Sequence, residues 1–447
     1  MTASPRGLVA DSPRASDRRD DRESSPSDRL DDRENRRASS SLGIRALVCR
    51  ECGREYPVEP AYSCEFCFGP LEVAYDPDQV AARTSKEAIE SGPLSLWRYR
   101  SLLPNPDYRI DTGTGFTPLR DAPRLAAELG LKKLWLKNDA QNPTHSFKDR
   151  VVSVALSVAK DFGFEVAACA STGNLANAVA AHAAASGMKS VVFIPRGLEP
   201  AKVAATAIYG GTVVEIEGSY DDVNRVCGQL AITKPWAFVN VNLRPFYAQG
   251  SKTLGFEVAE QLGWRTPDAV VVPVASGALL TKISLGFDQL RSTGLIGAGA
   301  TKVCGAQAEG CSPVARAYAE GADHVKPVKP NTIAKSLGIG DPADGHYALD
   351  LVRSTGGAFA SVPESKIADG ISLLARTEGI FTETAGGVTI SALEELARTG
   401  AIDPDEETVA FITGTGLKTL EALEPPRTVT VPADVDRVHE VLEGEGL

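Results

Sequence analysis

The 447-residue sequence has no run of about 18 uninterrupted apolar residues, which a membrane-spanning helix would require. Its net charge of −11 at pH 7 lacks the basic excess that a nucleic-acid backbone attracts. We therefore expect neither a membrane nor nucleic acid as a partner. The motifs HExxH, GxSxG, GxxxxGK[ST], and GxGxxG between a strand and a helix are also missing. These absences exclude the enzyme classes that those motifs identify.

The first 43 residues contain little that a core could bury. The stretch "DSPRASDRRDDRESSPSDRLDDRENRRASSS" consists mainly of Asp, Arg, Ser and Pro. Such a segment cannot offset its ordering entropy, so we predict a disordered tail over residues 1–43. It has no apolar signal region and is too acidic for a typical transit peptide. We therefore expect a cytoplasmic protein.

Four of the eight cysteines form one cluster, spaced CxxC, eleven residues, CxxC: Cys49, Cys52, Cys64 and Cys67. Each CxxC can present two thiolates to one tetrahedral ion, and four sulfurs leave no open position for catalysis. The spacing predicts a structural zinc in a small zinc-ribbon-like unit. The alternatives are four reduced thiols or two disulfides, and disulfides are disfavoured without a secretory signal. The other cysteines lie in apolar segments and are expected to be buried thiols: Cys169, Cys227, Cys304 and Cys311.

Strand and helix patterns alternate from about residue 92 onward. The predicted strands are "KLWLKND", "EVAACA", "SVVFIP", "TVVEIEG", "AVVVPVA", "VCGAQAE" and "TVAFITG". Helical patterns between them indicate parallel strands joined by crossover helices, that is, an α/β fold with sheets covered on both faces. Ligands of such sheets bind at the carboxyl ends of the strands, so the loops after strands are the places to inspect.

One of these loops places a lysine at the start of a helix. It reads "NPTHSFKDRVVS" and contains Lys148 three residues after His145. A lysine usually lies on a solvated helix face. Here it follows a turn rich in hydroxyl groups and precedes an apolar helical pattern, which is a suitable place for a nucleophilic amine.

Three further loops have small polar residues after a strand. "ASTGNLAN" opens a helix whose free N–H groups suit a carboxylate. "PVASGALLTK" allows close approach of the backbone and offers a helix N-terminus to a phosphate. "FITGTGLKT" has two glycines and three threonines at the end of a strand. Each loop alone could be an ordinary turn or helix cap. A lysine, a carboxylate site and a phosphate site together match pyridoxal 5′-phosphate, an aldehyde cofactor that forms a Schiff base with lysine.

The sequence resembles the fold type II, or β-family, pyridoxal-phosphate enzymes, and among them the threonine synthases. The resemblance covers about residues 45–425 and rests on "NPTHSFKDR", "STGNLAN", "GSKTLGFEVAEQLGW", "GIFTETAGG" and "TGTGLK". The Cys-rich unit with "GPLEVAYD" is also similar to that of many bacterial members. The resemblance implies a tryptophan-synthase-β-like α/β fold and a homodimer. It implies a four-cysteine unit and arm (44–92), a large cofactor-binding domain (93–130 and 256–425), a small domain (131–255) and a C-terminal tail (426–447).

The resemblance also implies roles for individual residues. Lys148 corresponds to the lysine that forms the Schiff base, Asn174 to the asparagine at the cofactor's phenolic oxygen, and Thr413 to the hydroxyl facing the pyridine nitrogen. The loop that grips the substrate carboxylate corresponds to Ser171, Thr172 and Gly173. The loop that holds the cofactor phosphate corresponds to Ala275, Ser276, Gly277, Ala278 and Leu279.

Some positions depart from the family pattern. The phosphate loop reads "ASGAL" where many members have glycine and asparagine, and "TGTG" replaces "TGHG" or "TGNG". The arginine often found before "GQKT" is displaced here to Arg244. The candidates for binding the substrate phosphate are therefore Arg244, Lys252 and His145.

The activity implied is conversion of O-phospho-L-homoserine and water to L-threonine and phosphate, by γ-elimination and β-hydration. Two kinds of alternative stay open. One is a related lyase, such as a threonine or serine dehydratase or a cysteate synthase. The other is a regulatory binding protein that keeps an inactive enzyme fold, which the presence of Lys148, Asn174 and Thr413 disfavours.

Overall fold

The computed structural model of the protein describes residues 43–423 and 428–444. The predicted disordered tail lies outside these residues except for Gly43. In the described part of the chain, no helix is both long enough and apolar enough to cross a membrane.

The described residues contain thirteen strands in three sheets. In chain order the strands are β1 (Ala46–Cys49), β2 (Glu55–Tyr56), β3 (Leu71–Ala74), β4 (Leu119–Asp121), β5 (Leu134–Asn138), β6 (Val166–Ala170), β7 (Lys189–Pro195), β8 (Thr212–Ile216), β9 (Ala237–Phe238), β10 (Ala269–Pro273), β11 (Lys302–Ala308), β12 (Phe359–Val362) and β13 (Thr408–Ile412). All seven strands predicted from the sequence are present, as β5, β6, β7, β8, β10, β11 and β13.

Fifteen α-helices accompany these strands in the same described ranges. They are α1 (Pro77–Arg83), α2 (Lys86–Glu90), α3 (Pro123–Leu129), α4 (Lys148–Asp161), α5 (Asn174–Ala185), α6 (Pro200–Ala207), α7 (Tyr220–Thr233), α8 (Arg244–Gln249), α9 (Lys252–Gln261), α10 (Ala278–Ser292), α11 (Pro313–Ala319), α12 (Gly345–Ser354), α13 (Glu364–Glu378), α14 (Thr384–Arg398) and α15 (Val435–Gly444). The last of these helices has no buried residue and lies in the predicted C-terminal tail.

The largest sheet has six strands in the order β12-β11-β10-β13-β5-β4, and only β4 runs antiparallel to its neighbour. Its central strands β10 and β13 read AVVVP and TVAFI and are buried along their whole length. A strand covered by helices on both faces needs apolar residues at every position, which explains these uninterrupted runs. The predicted α/β fold is confirmed.

The second sheet has four parallel strands in the order β8-β7-β6-β9. The strands of the six-stranded and four-stranded sheets follow the predicted division into domains except at β5. The predicted small domain, 131–255, included β5, but β5 pairs with β13 and β4 in the six-stranded sheet. Periodicity predicts that a segment is a strand, but it does not indicate which sheet the strand joins.

The third sheet is the N-terminal Cys unit, an antiparallel sheet in the order β2-β1-β3. It contacts α8 and α10 through two polar side chains, one in β3 and one directly after it. Gln249 donates to Glu72 at 2.6 Å and accepts from the Tyr75 hydroxyl at 3.0 Å, and Lys282 forms an ion pair with Glu72. The Cys unit is therefore attached directly to two helices that border the site described next.

Candidate active site

The loop before α4 and the loop after β13 lie side by side. The Phe147 N–H donates to the Thr413 carbonyl at 2.9 Å, and Ser146 forms an antiparallel bridge with Gly414. This pairing fixes the start of α4, whose first residue is Lys148. Two of the four loops predicted to carry function are thus joined at the carboxyl end of the large sheet.

The residues after the lysine are anchored by buried charges. The Asp149 carboxylate accepts from the Thr144 N–H and hydroxyl, both at 2.8 Å. Arg150 is fully buried and pairs with Asp139 at 2.6 Å and with Glu257. A buried charge is tolerated when it is paired and hydrogen-bonded, so this network holds the first turn of α4 in one place.

The Lys148 amine has a partner that the sequence did not reveal. Its Nζ donates to the Tyr247 hydroxyl at 2.9 Å. Tyr247 lies on the short helix α8, three residues after Arg244, so the two side chains project from neighbouring positions of one helix. No local motif marks this tyrosine, although "RPFYAQ" lies just before "GSKTLGFEVAEQLGW", one of the stretches that carried the resemblance.

Glu383 joins two predicted cofactor residues. It precedes α14 and is buried; it accepts from Asn174 Nδ2 at 2.8 Å and from the Thr413 hydroxyl at 2.9 Å. Burial raises the pKa of the Glu383 carboxyl and outweighs these hydrogen bonds. The glutamate lies in the stretch "GIFTETAGG", but sequence analysis assigned it no role.

Lys418 completes this polar cluster. Its amine donates to Asn174 Oδ1 at 2.9 Å and to the Thr144 carbonyl, and burial lowers its pKa. Both amide atoms of Asn174 are therefore held in a fixed orientation. Because an amide nitrogen carries two N–H groups, the nitrogen can donate to a bound oxygen as well as to Glu383.

The carboxylate loop and the phosphate loop each lead into a helix whose N-cap residue is a glycine. Gly173 precedes α5 and Gly277 precedes α10, and neither glycine can supply a side-chain cap. In the first turn of α10, the Ala278 N–H donates to the Ser276 hydroxyl at 3.5 Å. The free N–H groups and dipoles of the two helices favour anions. At Gly277 the φ angle is +94°, and a Cβ there would lie 2.5 Å from the Asp344 carbonyl oxygen. Only glycine fits this position without moving Asp344.

The carboxylate-loop residues are arranged around the first of these helix N-termini. Ser171 is buried, and Thr172 is half-buried. The Gly173 N–H donates to the Ser171 hydroxyl at 3.3 Å, and the Ser171 N–H donates to the Phe193 carbonyl at 3.2 Å. The loop is therefore held by its own hydroxyl and by the neighbouring strand.

The three candidates for the substrate phosphate have different environments. Arg244 is 30% exposed and pairs with Asp344 at 2.7 Å. His145 is exposed, and its backbone has a φ of +60°. Lys252 is buried; its amine donates to the Leu102 carbonyl at 3.1 Å and to the Gln289 side chain at 2.8 Å. The prediction that Lys252 contacts the substrate is therefore wrong, because its amine is buried and bonded to Leu102 and Gln289.

These residues fit pyridoxal 5′-phosphate. Lys148 supplies an amine, and the α10 N-terminus supplies N–H groups for a phosphate. Six buried side-chain atoms of the described residues have no hydrogen-bond partner, and two of them are Ser146 Oγ and Thr384 Oγ1, which adjoin Phe147 and Glu383 in the chain. Buried polar atoms without a partner are costly unless a ligand or water satisfies them. The location of these two atoms next to the amine and the polar cluster agrees with a bound polar cofactor.

The four predicted metal ligands lie together in the Cys unit. Their sulfur atoms are all within 4.8 Å of one another, with 3.4 Å between Cys49 and Cys67 and 3.6 Å between Cys52 and Cys64. Tetrahedral zinc with bonds of about 2.3 Å separates its sulfur ligands by about 3.8 Å. Burial opposes ionisation of Cys64, but hydrogen bonds from the Tyr56 hydroxyl and backbone N–H groups lower its pKa to about 6. The cluster fits a tetrahedral ion.

Comparison with known protein families gives two matches. The family described as "Pyridoxal-phosphate dependent enzyme" matches residues 110–414, which include the six-stranded and four-stranded sheets and Lys148, Asn174, Gly277 and Thr413. A short match over residues 48–72, described as "NinF protein", falls on the Cys unit.

Similar proteins are found among named sequences and solved structures. The chain is 38% identical to the threonine synthase of Methanocaldococcus jannaschii over 88% of this chain and 98% of that protein. It is 35% identical to the threonine synthase of Methanosarcina acetivorans over 89% of this chain and 99% of that protein. The structure of processed threonine deaminase isoform 2 from Solanum lycopersicum superimposes with a TM-score of 0.58 at 21% identity, covering 83% of this chain and 89% of that one. This last likeness concerns the fold alone.

Proposed function

Because the chain belongs to the threonine synthases of the pyridoxal-phosphate-dependent enzyme family, we propose that it converts O-phospho-L-homoserine and water to L-threonine and phosphate at the site around Lys148. The observation that carries this proposal is the juxtaposition of a lysine amine, two helix N-termini with a glycine at the N-cap and a partly exposed arginine. A substrate that carries a carboxylate and a phosphate, acting with a cofactor that carries another phosphate, needs three anion sites.

The cofactor would be held by residues from both sheets. Lys148 would bind it covalently, and the N–H groups at the start of α10 would hold its phosphate. Asn174 would donate to its phenolic oxygen. When bound, pyridoxal phosphate supplies an electron-withdrawing ring that stabilises the charge left at the substrate α-carbon after its proton is removed.

Lys148 is the proposed base for the α-proton. A lysine released from its covalent link carries a free amine, which can accept a proton within hydrogen-bond reach. The Tyr247 hydroxyl accepts a hydrogen bond from Nζ and so orients the amine. The uncapped N-terminus of α5, with Ser171 and Thr172, would bind the substrate carboxylate and keep the α-carbon next to this amine.

Glu383 and Thr413 would control the proton at the cofactor's ring nitrogen. The Glu383 carboxyl contacts Asn174 Nδ2, which is only a donor, and the Thr413 hydroxyl, which can donate or accept. A proton on Glu383 can therefore be given only to Thr413, which frees the threonine's own hydroxyl proton for another acceptor. A raised pKa of Glu383 favours this arrangement. Thr413 would then donate to an unprotonated ring nitrogen.

Arg244 is the proposed ligand of the substrate phosphate. Its guanidinium is partly exposed, lies on the same helix as Tyr247 and pairs with Asp344, whose backbone contacts the cofactor-phosphate loop. The planar fork of an arginine suits a phosphate. The dehydratases that we considered as alternatives act on substrates without a phosphate, so they have no need for such a residue.

A substrate panel tests the reaction. Phosphate release from O-phospho-L-homoserine should far exceed ammonia release from threonine or serine. Arg244→Ala should lower kcat/KM for O-phospho-L-homoserine roughly ten- to a hundredfold, since a charge-assisted contact contributes about 1.5–3 kcal/mol. The control is Arg225→Ala, which removes another arginine–aspartate pair, on the surface of α7. Normal kinetics with a lowered melting temperature in Arg244→Ala would identify a structural arginine instead.

We further propose one structural zinc per chain, held by the four cysteines of the Cys unit. The donor set and the sulfur separations support it. Native mass spectrometry should show one zinc ion, and a fully folded protein without metal would contradict the proposal. We also propose a cytoplasmic homodimer; light scattering during size-exclusion chromatography tests the oligomeric state.

A further inference from the structure

One buried carboxylate holds two arginines. Asp344 Oδ1 accepts from Arg50 Nη1 and Oδ2 accepts from Arg244 Nη2, both at 2.7 Å. The Asp344 side chain is 6% exposed, whereas those of Arg50 and Arg244 are 20% and 30% exposed. The three side chains carry a net charge of +1, and the excess charge lies on the two partly exposed groups.

This trio borders the site. The Asp344 N–H donates to the Ser276 carbonyl at 2.8 Å, and the Asp344 carbonyl packs against Gly277. Arg244 lies on the same short helix as Tyr247, the partner of Lys148. The Asp344 backbone thus contacts the cofactor-phosphate loop, and the Asp344 side chain binds Arg244 on the helix that contacts the reactive amine.

Arg50 comes from a different part of the chain, the Cys unit. It directly follows Cys49, and its guanidinium stacks 3.4 Å from the centre of the Tyr347 ring. The hydroxyl of Tyr347 in turn donates to Glu51. Contacts on its face and along one edge therefore fix the Arg50 guanidinium, and its charge cannot move away from Asp344 without breaking both.

We propose that Arg50 is a positioning residue for the substrate phosphate. A single arginine paired with Asp344 would form a neutral pair, and an approaching phosphate would meet the aspartate's negative charge as well as the arginine's positive one. Arg50 compensates the aspartate, which leaves the charge of Arg244 available for the phosphate. The Cys unit thereby supplies the charge that compensates Asp344. The inference rests on the proposed role of Arg244 as the phosphate ligand.

The test removes the charge of Arg50 in the holoenzyme. Arg50→Gln should raise KM for O-phospho-L-homoserine and the Kd of inorganic phosphate, measured by calorimetry, by about tenfold, while kcat changes less than about twofold. Arg50→Lys should retain most of the affinity. The matched control is Arg54→Gln, which removes an exposed arginine of the same unit that stacks on Phe66 away from Asp344; it should leave both constants unchanged. The metal content of each variant shows whether the Cys unit remains intact, and its cofactor absorbance shows whether the site around Lys148 does.

A double variant separates charge from structure. Arg50→Gln with Asp344→Asn has the same net charge of +1 at this place as the wild type, although it has lost the ion pairs. It should bind inorganic phosphate within about threefold of the wild type if charge balance is what Arg50 supplies. Wild-type phosphate affinity in Arg50→Gln, or no recovery in the double variant, would overturn the inference. If wild-type enzyme released no phosphate from O-phospho-L-homoserine, the proposed function would fail instead, and the calorimetric Kd would still decide the role of Arg50.

Discussion

The Lys148 amine and the Tyr247 hydroxyl meet at 2.9 Å although 99 positions separate the two residues in the chain. The lysine opens α4, and the tyrosine lies on α8, which also carries Arg244 and contacts the Cys unit through Gln249. A single short helix therefore carries a candidate phosphate ligand and contacts both the reactive amine and the N-terminal sheet. A displacement of α8 would affect all three.

Replacing Lys148 tests the central assignment. Lys148→Ala should reduce turnover by roughly 10²–10⁴-fold or more, because both the covalent link and the proposed base are lost. Borohydride should no longer fix the cofactor to the protein, and the melting temperature should change little since the side chain is only half-buried. Lys160→Ala, on the same helix, serves as the control. Wild-type turnover in Lys148→Ala would refute the assignment.

The Tyr247 hydroxyl can be removed without changing the ring. Tyr247→Phe should lower kcat about ten- to a hundredfold with a smaller effect on KM, because the amine loses the partner that orients it. Tyr318→Phe loses a hydroxyl bonded to the Gly357 carbonyl, away from Lys148, and should have normal kinetics. An unchanged kcat in Tyr247→Phe would mean that the contact only stabilises the fold.

Glu383 should impose a pH dependence on stability. Because burial raises its pKa, the folded protein keeps a proton that the unfolded chain releases above a pH of about 4.3. This contribution to the free energy of unfolding is fully present below that pH and is lost as pH rises through the raised pKa. Glu383→Gln should remove this dependence, as measured by denaturant unfolding between about pH 4 and 8. An unchanged pH dependence in the variant would show that Glu383 does not keep its proton.

Activity gives a second test of the same carboxyl. A glutamine can accept from Asn174 and donate to Thr413, as a protonated glutamate would, so Glu383→Gln should keep most of its turnover. Glu383→Ala should lose it, and its melting temperature should also fall. Equal loss of turnover in both variants would indicate that an ionised carboxylate is required.

The Thr413 hydroxyl is testable by a nearly isosteric change. Thr413→Val should lower turnover and destabilise the protein by about 1–3 kcal/mol, because Glu383 loses a buried hydrogen bond. Thr413→Ser retains the hydroxyl and should recover most of both quantities. Steady-state kinetics and thermal unfolding of the pair measure this; similar kinetics in the two variants would show that the hydroxyl has no catalytic role.

The loop before α10 offers a matched pair of glycines. Gly277→Ala should weaken pyridoxal phosphate binding at least about tenfold, because the added Cβ would lie 2.5 Å from the Asp344 carbonyl oxygen. Gly294→Ala, after the other end of the same helix, also has a positive φ, of +72°, but no atom within 4 Å of an added Cβ. Fluorescence titration of the cofactor-free proteins compares them. Equal affinities in the two variants would contradict the prediction that the contact with Asp344 weakens cofactor binding.

The local pattern of the sequence predicted the secondary structure and the chemistry of single loops. Uninterrupted apolar runs such as AVVVP require burial on both faces, so they indicated parallel strands covered by helices. The CxxC spacing predicted the cluster of four sulfurs, because each CxxC stretch is a local turn that presents two sulfurs to one ion. Lys148 was identifiable because its loop, its helix start and the neighbouring hydroxyl groups all lie within a few residues. These features depend on interactions over short stretches of chain.

The contacts that complete the site depend on packing between distant segments. Asn174 meets Glu383 across 209 positions, and Arg50 meets Asp344 across 294. Glutamates and arginines are common on any surface, so nothing in their own neighbourhoods distinguished them, and Lys252 was wrongly assigned because periodicity did not reveal that its amine points into the core. Which polar groups are buried together is decided when the sheets, helices and Cys unit pack, since a charge in the interior persists only where a partner from another segment compensates it.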